Sequence, residues 1–412
     1  MQRQTQPIQP STIPGAGAAD FQFLDFFRLF LAPVLEGPLP HSFWTYTVPQ
    51  MVHQEPALRN AAVALGSLYQ RFREDTQSEA EKRFSIGRYN SAIRQIALLR
   101  HGHLDTVVIA CVIFMAVDIL RGNHEQALLH YKHGKRILES YTPNAQIKGI
   151  FRQMYMFVLF TSPSGRLLPE KDGCPHITQP FWSLLQAQEE LDWLVYRSME
   201  VVFFVNKHHE ESIILPMQHE LNQELDNWYL AVSGLVSQDL PVHHRSAYHM
   251  LEARWLICKI WCHGSLHGDQ GYNDCTEMFR RELELLQELM AMGAPKSTFE
   301  IGVPPLLHFL FTKCKDLDLR LSALALFREK CFTPDTLWDF MVIYETAQRR
   351  IEKEHDLVLG SEWAQSIDLE MIPAKKKTAL TRTAWVSETQ YLCPWVLVVL
   401  DVSEDVRGAI PL

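Results

Sequence analysis

"LDTVVIACVIFMAVDILRGNHEQALLHYKHGKRIL", residues Leu104 to Leu138, decides the fold class. Its first half holds an unbroken apolar run from Val107 to Val117. That run is too short to cross a bilayer, which takes about 20 residues. It suits a helix buried on every side. Asp105 offers a carboxylate as N-cap, and Gly122 with Asn123 ends the run. Beyond the break, Ala127, Leu128, Tyr131, Gly134 and Leu138 recur at the spacing of one helix face. A helix, a short break and a second helix predict antiparallel neighbours in an all-α array.

The preceding sequence continues the pattern. In "PHSFWTYTVPQMVHQEPALRNAAVALGSLY" (Pro40 to Tyr69), Pro56 suits the first turn of a helix, where an N–H would go unpaired. Ala57, Leu58, Ala61, Ala62, Leu65, Leu68 and Tyr69 then fall on one face. The small residues Ala61, Ala62 and Gly66 invite close approach by the Val107–Leu120 helix. "FSIGRYNSAIRQIALLR" (Phe84 to Arg100) adds a stripe of Ile86, Tyr89, Ile93, Ile96 and Ala97. Residues 1–19 read as a disordered tail, with order beginning at Asp20 as N-cap. In the other direction, the Pro-, Gly- and Ser-rich stretch Thr161 to Pro180 reads as a loop. It marks a sub-boundary within one helical domain spanning 20–412. Helical periodicity resumes after it and runs to about Met292, and Pro394 to Val402 is β-branched enough for one short strand. The expected fold class is therefore all-α, an irregular array of antiparallel helix pairs.

Composition narrows the function. The chain has 412 residues, is 47% hydrophobic and carries a formal net charge of −9. That acidic balance argues against phosphate-backbone binding by the chain as a whole. The eight cysteines are scattered, and the polar, proline-bearing N-terminus lacks a signal-peptide core, so a reducing compartment is expected. There is no G-x-x-x-x-G-K-[ST] phosphate loop, no strand-linked G-x-G-x-x-G, no G-x-S-x-G elbow and no H-E-x-x-H. Cys262, His263 and His267 are the weak metal candidates, the two histidines having the i, i+4 spacing of a helix face. Against them stand the flanking glycines, which suggest a fraying helix end. His130 and His133 lie in a helical stretch, where a hydrogen-bonded or solvent-facing histidine is the ordinary fate. The pairs His208–His209 and His243–His244 point to different faces of any helix. Cys258 and Cys262 read as core cysteines, and Asp316 and Asp318 as a solvated helix start. Lys375, Lys376 and Lys377 form the only basic run, a nuclear-import candidate. No catalytic group emerges.

The stretches quoted above resemble the fungal-specific regulatory region of fungal zinc-cluster transcription factors. The family places a Trp in a loop before a Pro-initiated helix reading "paxrxAxxAlgaL"; here those positions are Trp44, Pro56, Arg59, Ala62, Ala64, Leu65 and Gly66. "RYNSAIRQI" matches its "YxxAI" helix at Tyr89. The Leu104–Leu138 segment matches its next pair, with Gly122, Ala127, His130 and Gly134 in place and Asp118 where the family often has Glu. Pro180–Leu194, Gly302–Phe327 (with Pro305) and "LWDF" (with Trp338) resemble later blocks, so the resemblance spans roughly 20 to 355.

The resemblance implies an all-helical, non-enzymatic regulatory region in a nuclear protein, with structural roles for Trp44, Pro56, Ala62, Gly66, Tyr89, Gly122, His130, Gly134, Pro305 and Trp338. It calls for no cofactor and no membrane. It points to protein partners (the transcription machinery or a DNA-binding regulator) and to a small-molecule effector. It also suggests control of a metabolic or secondary-metabolite gene cluster. DNA contact would require an upstream six-cysteine zinc cluster, and no cysteine precedes Cys111 here. The expectation is a regulator without its own DNA reader; the alternative is a cytoplasmic scaffold or adaptor derived from the same family.

Overall fold

The computed structural model describes residues 17–359 apart from 37–41, 75–77, 100–102, 142–144, 162–179, 209–210, 237–241, 265–267, 294–301 and 332–339, and every regular element among them is helical. The expected C-terminal strand, residues 162–179 of the Thr161–Pro180 loop and the tail up to residue 16 lie outside the described residues; Thr161 itself is the last residue of a helix. In the first group, α1 (Ala18–Phe26) runs through a π-helical segment, Phe27–Leu31, into α2 (Ala32–Glu36). A second π-helical segment, Phe43–Thr47, leads into α3 (Val48–Gln54). Then come α4 (Pro56–Glu74), α5 (Glu79–Ala97), α6 (Leu104–Leu120), α7 (His124–Leu138) and α8 (Ala145–Thr161). The second group comprises α9 (Leu184–His208), α10 (Glu211–Val236), α11 (Val242–Gly264), α12 (Gly268–Asn273), α13 (Thr276–Ala291), α14 (Val303–Lys313), α15 (Leu317–Cys331) and α16 (Phe340–His355).

Sequence neighbours pair in much of the array, and helices two apart, such as α4 and α6 or α9 and α11, also pack together. The α4–α5 and α6–α7 interfaces are the most extensive; α9 packs on α10 and α11, and α14 on α15. α8 touches α6 and α7 on one side and α9 on the other, so it links the two groups. The buried run of α6 is continuous from Val108 to Ile119, as its composition predicts. α4 departs from the one-face reading, because Ala61 through Tyr69 are all buried. The reason is that α1, α3, α5 and α6 surround it. On α5 the core face is Ser85, Tyr89 and Ala92, whereas Ala97, assigned to the stripe, is exposed. Ser85 is admitted to the core because its hydroxyl is satisfied: Ser67 Oγ donates to Ser85 Oγ at 2.8 Å.

Two predicted caps shift register. Asp20 is not the N-cap of α1 but its third helical residue; Gly17 N–H donates to Asp20 Oδ2 at 2.8 Å. Residues 18 and 19, assigned to the tail, are therefore helical. Asp105 likewise sits inside the first turn of α6, whose N-cap is His103, and accepts instead from Tyr141 Oη at 2.7 Å. Asp316 does cap α15, accepting from Leu319 N–H at 3.0 Å.

Gly66 also serves a different neighbour from the one expected. A Cβ there would lie 2.8 Å from the Phe23 carbonyl oxygen of α1, so the close approach is to α1 rather than α6. Gly66→Ala should therefore cost about 1–3 kcal/mol in urea unfolding. Gly87→Ala, on α5 with nothing within 4 Å of the new Cβ, should instead stabilise by about 0.5–1 kcal/mol.

The second group buries charge. On α13, Glu282 is completely buried beside Glu252 of α11, and neither of its carboxylate oxygens has a protein partner. Burial, reinforced by the Glu252 charge, holds its pKa well above the usual carboxylate range of about 4.5. A carboxyl raised on folding contributes stability that is fully present below its unfolded pKa and lost as pH rises through the folded one. Glu282→Gln removes that loss. The melting temperature of the variant relative to the native chain should be more favourable at pH 8 than at pH 5, as thermal melts at the two pH values would read.

Candidate functional site

The end of α6 builds the site. Its apolar sequence leaves one acidic residue inside the buried run, Asp118, and the chain turns immediately after it. Gly122 takes φ +70°, a left-handed conformation that glycine adopts at no steric cost. This lets Asn123 N–H reach the Asp118 carbonyl at 2.8 Å and Gly122 N–H the Ile119 carbonyl at 2.9 Å, a Schellman cap that closes the helix. The next helix, α7, is thereby returned alongside α6.

The Asp118 carboxylate, itself fully buried, gathers side chains from three helices. Tyr89 Oη of α5 donates to Oδ2 at 2.6 Å, and Arg121 Nη1 donates to Oδ1 at 2.9 Å. His130 Nε2 of α7 stands 2.9 Å from Tyr89 Oη and 3.3 Å from Asp118 Oδ2. The Arg121 guanidinium lies over the Tyr89 ring, 5.4 Å from its centroid. Phe114 meets Tyr89 edge-on at 5.3 Å and His130 at 5.1 Å, which walls the cluster with apolar surface. Burial, together with the Asp118 hydrogen bond and charge, pushes the Tyr89 phenol far up, so it remains a proton donor to the carboxylate. Cys111 nearby is inert as a nucleophile, since burial pushes its thiol up to about 12. The arrangement neutralises a buried carboxylate and ties α5, α6 and α7 together.

The other motif residues brace the same helices. Trp44 is buried edge-on against Phe43 at 5.1 Å. Its backbone N–H and that of Thr45 both donate to Glu36 Oε2 at 3.0 Å. Thr47 Oγ1 donates to Gln146 Oε1 of α8 at 2.9 Å. Pro56 opens α4, and Arg59 Nη2 reaches back to the His53 carbonyl at 2.8 Å, fixing the α3–α4 corner. Ala62 is fully buried, and a Cβ on Gly134 would meet the Phe151 ring of α8 at 2.4 Å. Arg88 of α5 pairs with Asp20 of α1 at 2.8 Å. Pro305 is buried in the first turn of α14. Trp338 and Lys375, Lys376 and Lys377 lie outside the described residues.

The weak metal candidates are not brought together. Cys262 is buried and its Sγ faces the Gln218 carbonyl at 3.5 Å, whereas His263 is exposed and His267 lies outside the described residues. Among the described residues no group of three ligating side chains stands in metal-binding geometry. The six described cysteines are all buried, and none is in a disulfide. His133 faces solvent. Sequence reasoning singled out Tyr89, Gly122, His130 and Gly134 but assigned no contact to Asp118 or Arg121. A single acid in an apolar run, followed by Arg at i+3, was the available signal.

If the cluster is a clamp, its parts are energetically coupled. Asp118→Ala should cost about 3 kcal/mol in urea unfolding, and Tyr89→Phe about 1.5 kcal/mol. The double variant should fall short of their sum by about 1 kcal/mol. Strict additivity would show that the two side chains do not act together.

Comparisons with known proteins bear on the same helices. Residues 22–169 match the family model described as the fungal specific transcription factor domain. Over 213 residues the chain is 28% identical to the aspercryptin biosynthesis cluster-specific transcription regulator atnN of Emericella nidulans, a match covering 45% of this chain and 34% of that protein. The chain thus spans about a third of the length of this curated relative. No solved structure matches. The blocks expected at Pro180–Leu194 and Gly302–Phe327 lie beyond the family model. From residue 22 to residue 169, the stretch that contains the Tyr89–Asp118–His130 clamp, this chain is similar to the fungal specific transcription factor domain.

Proposed function

We propose that the chain is a fungal transcriptional regulator whose helical body acts by contact with other proteins and by response to a small-molecule effector. The observation that carries this reading is the coincidence of the family match with the clamp. Three residues of the matched stretch that were singled out by motif, Tyr89, Asp118 and His130, are joined with Arg121 in one network. A fixed α5–α7 unit is what a regulatory region needs if it is to present one constant surface to partners. The outward side of α7, where Leu129, Lys132, His133 and Arg136 are exposed, is available for such contact. The named relative regulates a biosynthesis cluster, and a metabolic or secondary-metabolite gene cluster is the proposed target here. The proposed location is the nucleus. No helix among the described residues is long and apolar enough to cross a membrane.

A tethering experiment tests the proposal. The chain, fused to a heterologous DNA-binding module in a fungal host, should change a reporter several-fold in either direction when its operator is present. A fluorescent fusion should concentrate in the nucleus and lose that concentration when Lys375, Lys376 and Lys377 become Ala. An unaltered reporter with purely cytoplasmic fluorescence would sink the regulatory reading and leave the adaptor reading in its place.

A further inference from the structure

The outward face of α7 carries charge that its own helix does not answer. Leu129, Lys132, His133 and Arg136 are exposed. They fall at i, i+3, i+4 and i+7, one stripe about 10 Å long. Lys132 has no carboxylate one turn away in either direction. Its neighbours at i−4 and i−3 are Leu128 and Leu129, and those at i+3 and i+4 are Lys135 and Arg136. Arg136 has Glu139 at i+3, but that carboxylate pairs with Lys135 at 3.7 Å. The side chains of Lys132, His133 and Arg136 make no hydrogen bond or ion pair among the described residues. Glu125, exposed one turn before Leu129, ends the positive face.

Other exposed cations in the chain are treated differently. Arg28 pairs with Asp25, Lys82 with Glu79, Arg280 with Glu277 and Arg349 with Glu345, each one turn away on its own helix. On α7 the i, i+4 pair Lys132–Arg136 is instead of like charge, which weakens a helix rather than supporting it. Residues 17–161 hold more Lys and Arg than Asp and Glu, although the whole chain holds 39 against 48, so this face belongs to the basic part of an acidic protein. The inner side of α7 also gives it no freedom to turn. His130 belongs to the Asp118 clamp, Tyr131 stacks on Tyr155 at 3.8 Å, and Gly134 lets the Phe151 ring come close. A fixed row of cations beside an exposed leucine is complementary to a helix that carries carboxylates beside an apolar side chain, and it is preorganised for that contact.

We propose that the outward face of α7 docks an acidic amphipathic helix of a protein partner, with Leu129 receiving an apolar side chain and Lys132, His133 and Arg136 receiving carboxylates over the next two turns. It rests on the reading of the chain as a regulator that acts by protein contact, and gives that contact its chemistry. The face recognises the spacing of carboxylates rather than one particular sequence. Nucleic acid fits it less well. Phosphate binding gains from many cations along a backbone, whereas this stripe is short and begins with a leucine.

Fluorescence anisotropy with the full chain tests it. The probe is a labelled helical peptide of about 14 residues, made of Glu, Leu and Ala with Glu at i and i+4 beside Leu. It should bind at low salt and weaken as salt rises. Lys132→Glu places a carboxylate one turn before Lys135 and Arg136, so the melting temperature should hold or rise while peptide binding weakens about fivefold or more. Leu129→Ala should weaken binding about threefold. Arg349→Gln, on α16 and paired with Glu345, should leave it unchanged. No binding by the native chain, equal binding of the same peptide with Gln in place of Glu, tighter binding of a short duplex DNA, or native affinity in Lys132→Glu would overturn the proposal. An inactive tethered chain that still binds the peptide counts against the regulatory reading alone. An active tethered chain indifferent to Lys132→Glu counts against this docking face alone.

Discussion

A carboxylate near the end of an apolar helix is the constraint on which the first group of helices depends. Isolated in a buried run, Asp118 would be costly to ionise. It is held because Arg121 balances its charge and Tyr89 and His130 crowd its second oxygen. Each partner comes from a different place in the fold. Arg121 arrives by the cap that ends α6, Tyr89 by the α5 face and His130 by the return of α7. The carboxylate can be satisfied only when all three helices are docked, which makes it a device for specifying one arrangement rather than a large source of stability.

The second group uses buried charge in a less balanced way. Arg254 of α11 pairs with Asp192 of α9, and Arg281 of α13 with Glu252 of α11, so ion pairs stitch the same helices that apolar contact holds together. Glu282 has no such partner, and burial beside Glu252 holds its pKa well above the usual carboxylate range. At the far end, the buried Arg320 shares the Glu354 carboxylate with Lys315 and Arg350. Around Asp118 one carboxylate gathers its partners from three helices, and around Glu354 one carboxylate is shared by three cations.

Apolar runs and punctuation were legible from the residues alone. The α6 burial, the break at Gly122 and Asn123, the opening of α4 at Pro56 and the end of α13 near Met292 all follow from local chemistry that does not depend on what packs nearby. Caps were less legible. Asp20 and Asp105 carry the right side chain near the right place, but a shift of a residue or two turns an N-cap into a first-turn residue, and the carboxylate then finds another donor. The stripe on α5 missed Ser85 because hydropathy has no means of counting a hydroxyl as buried when its partner, Ser67, lies on another helix.

The sequence by itself determined that the chain is helical, where α4 opens and α6 ends, and which family its motifs resemble, because periodicity, glycine and proline act within a few residues of themselves. Tertiary structure alone decided that α4 is surrounded, that Gly66 makes room for α1, and that Asp118, Tyr89, Arg121 and His130 form one cluster. Those outcomes rest on contacts between residues tens of positions apart, and burial, charge compensation and close approach acquire their energies only when the helices have met.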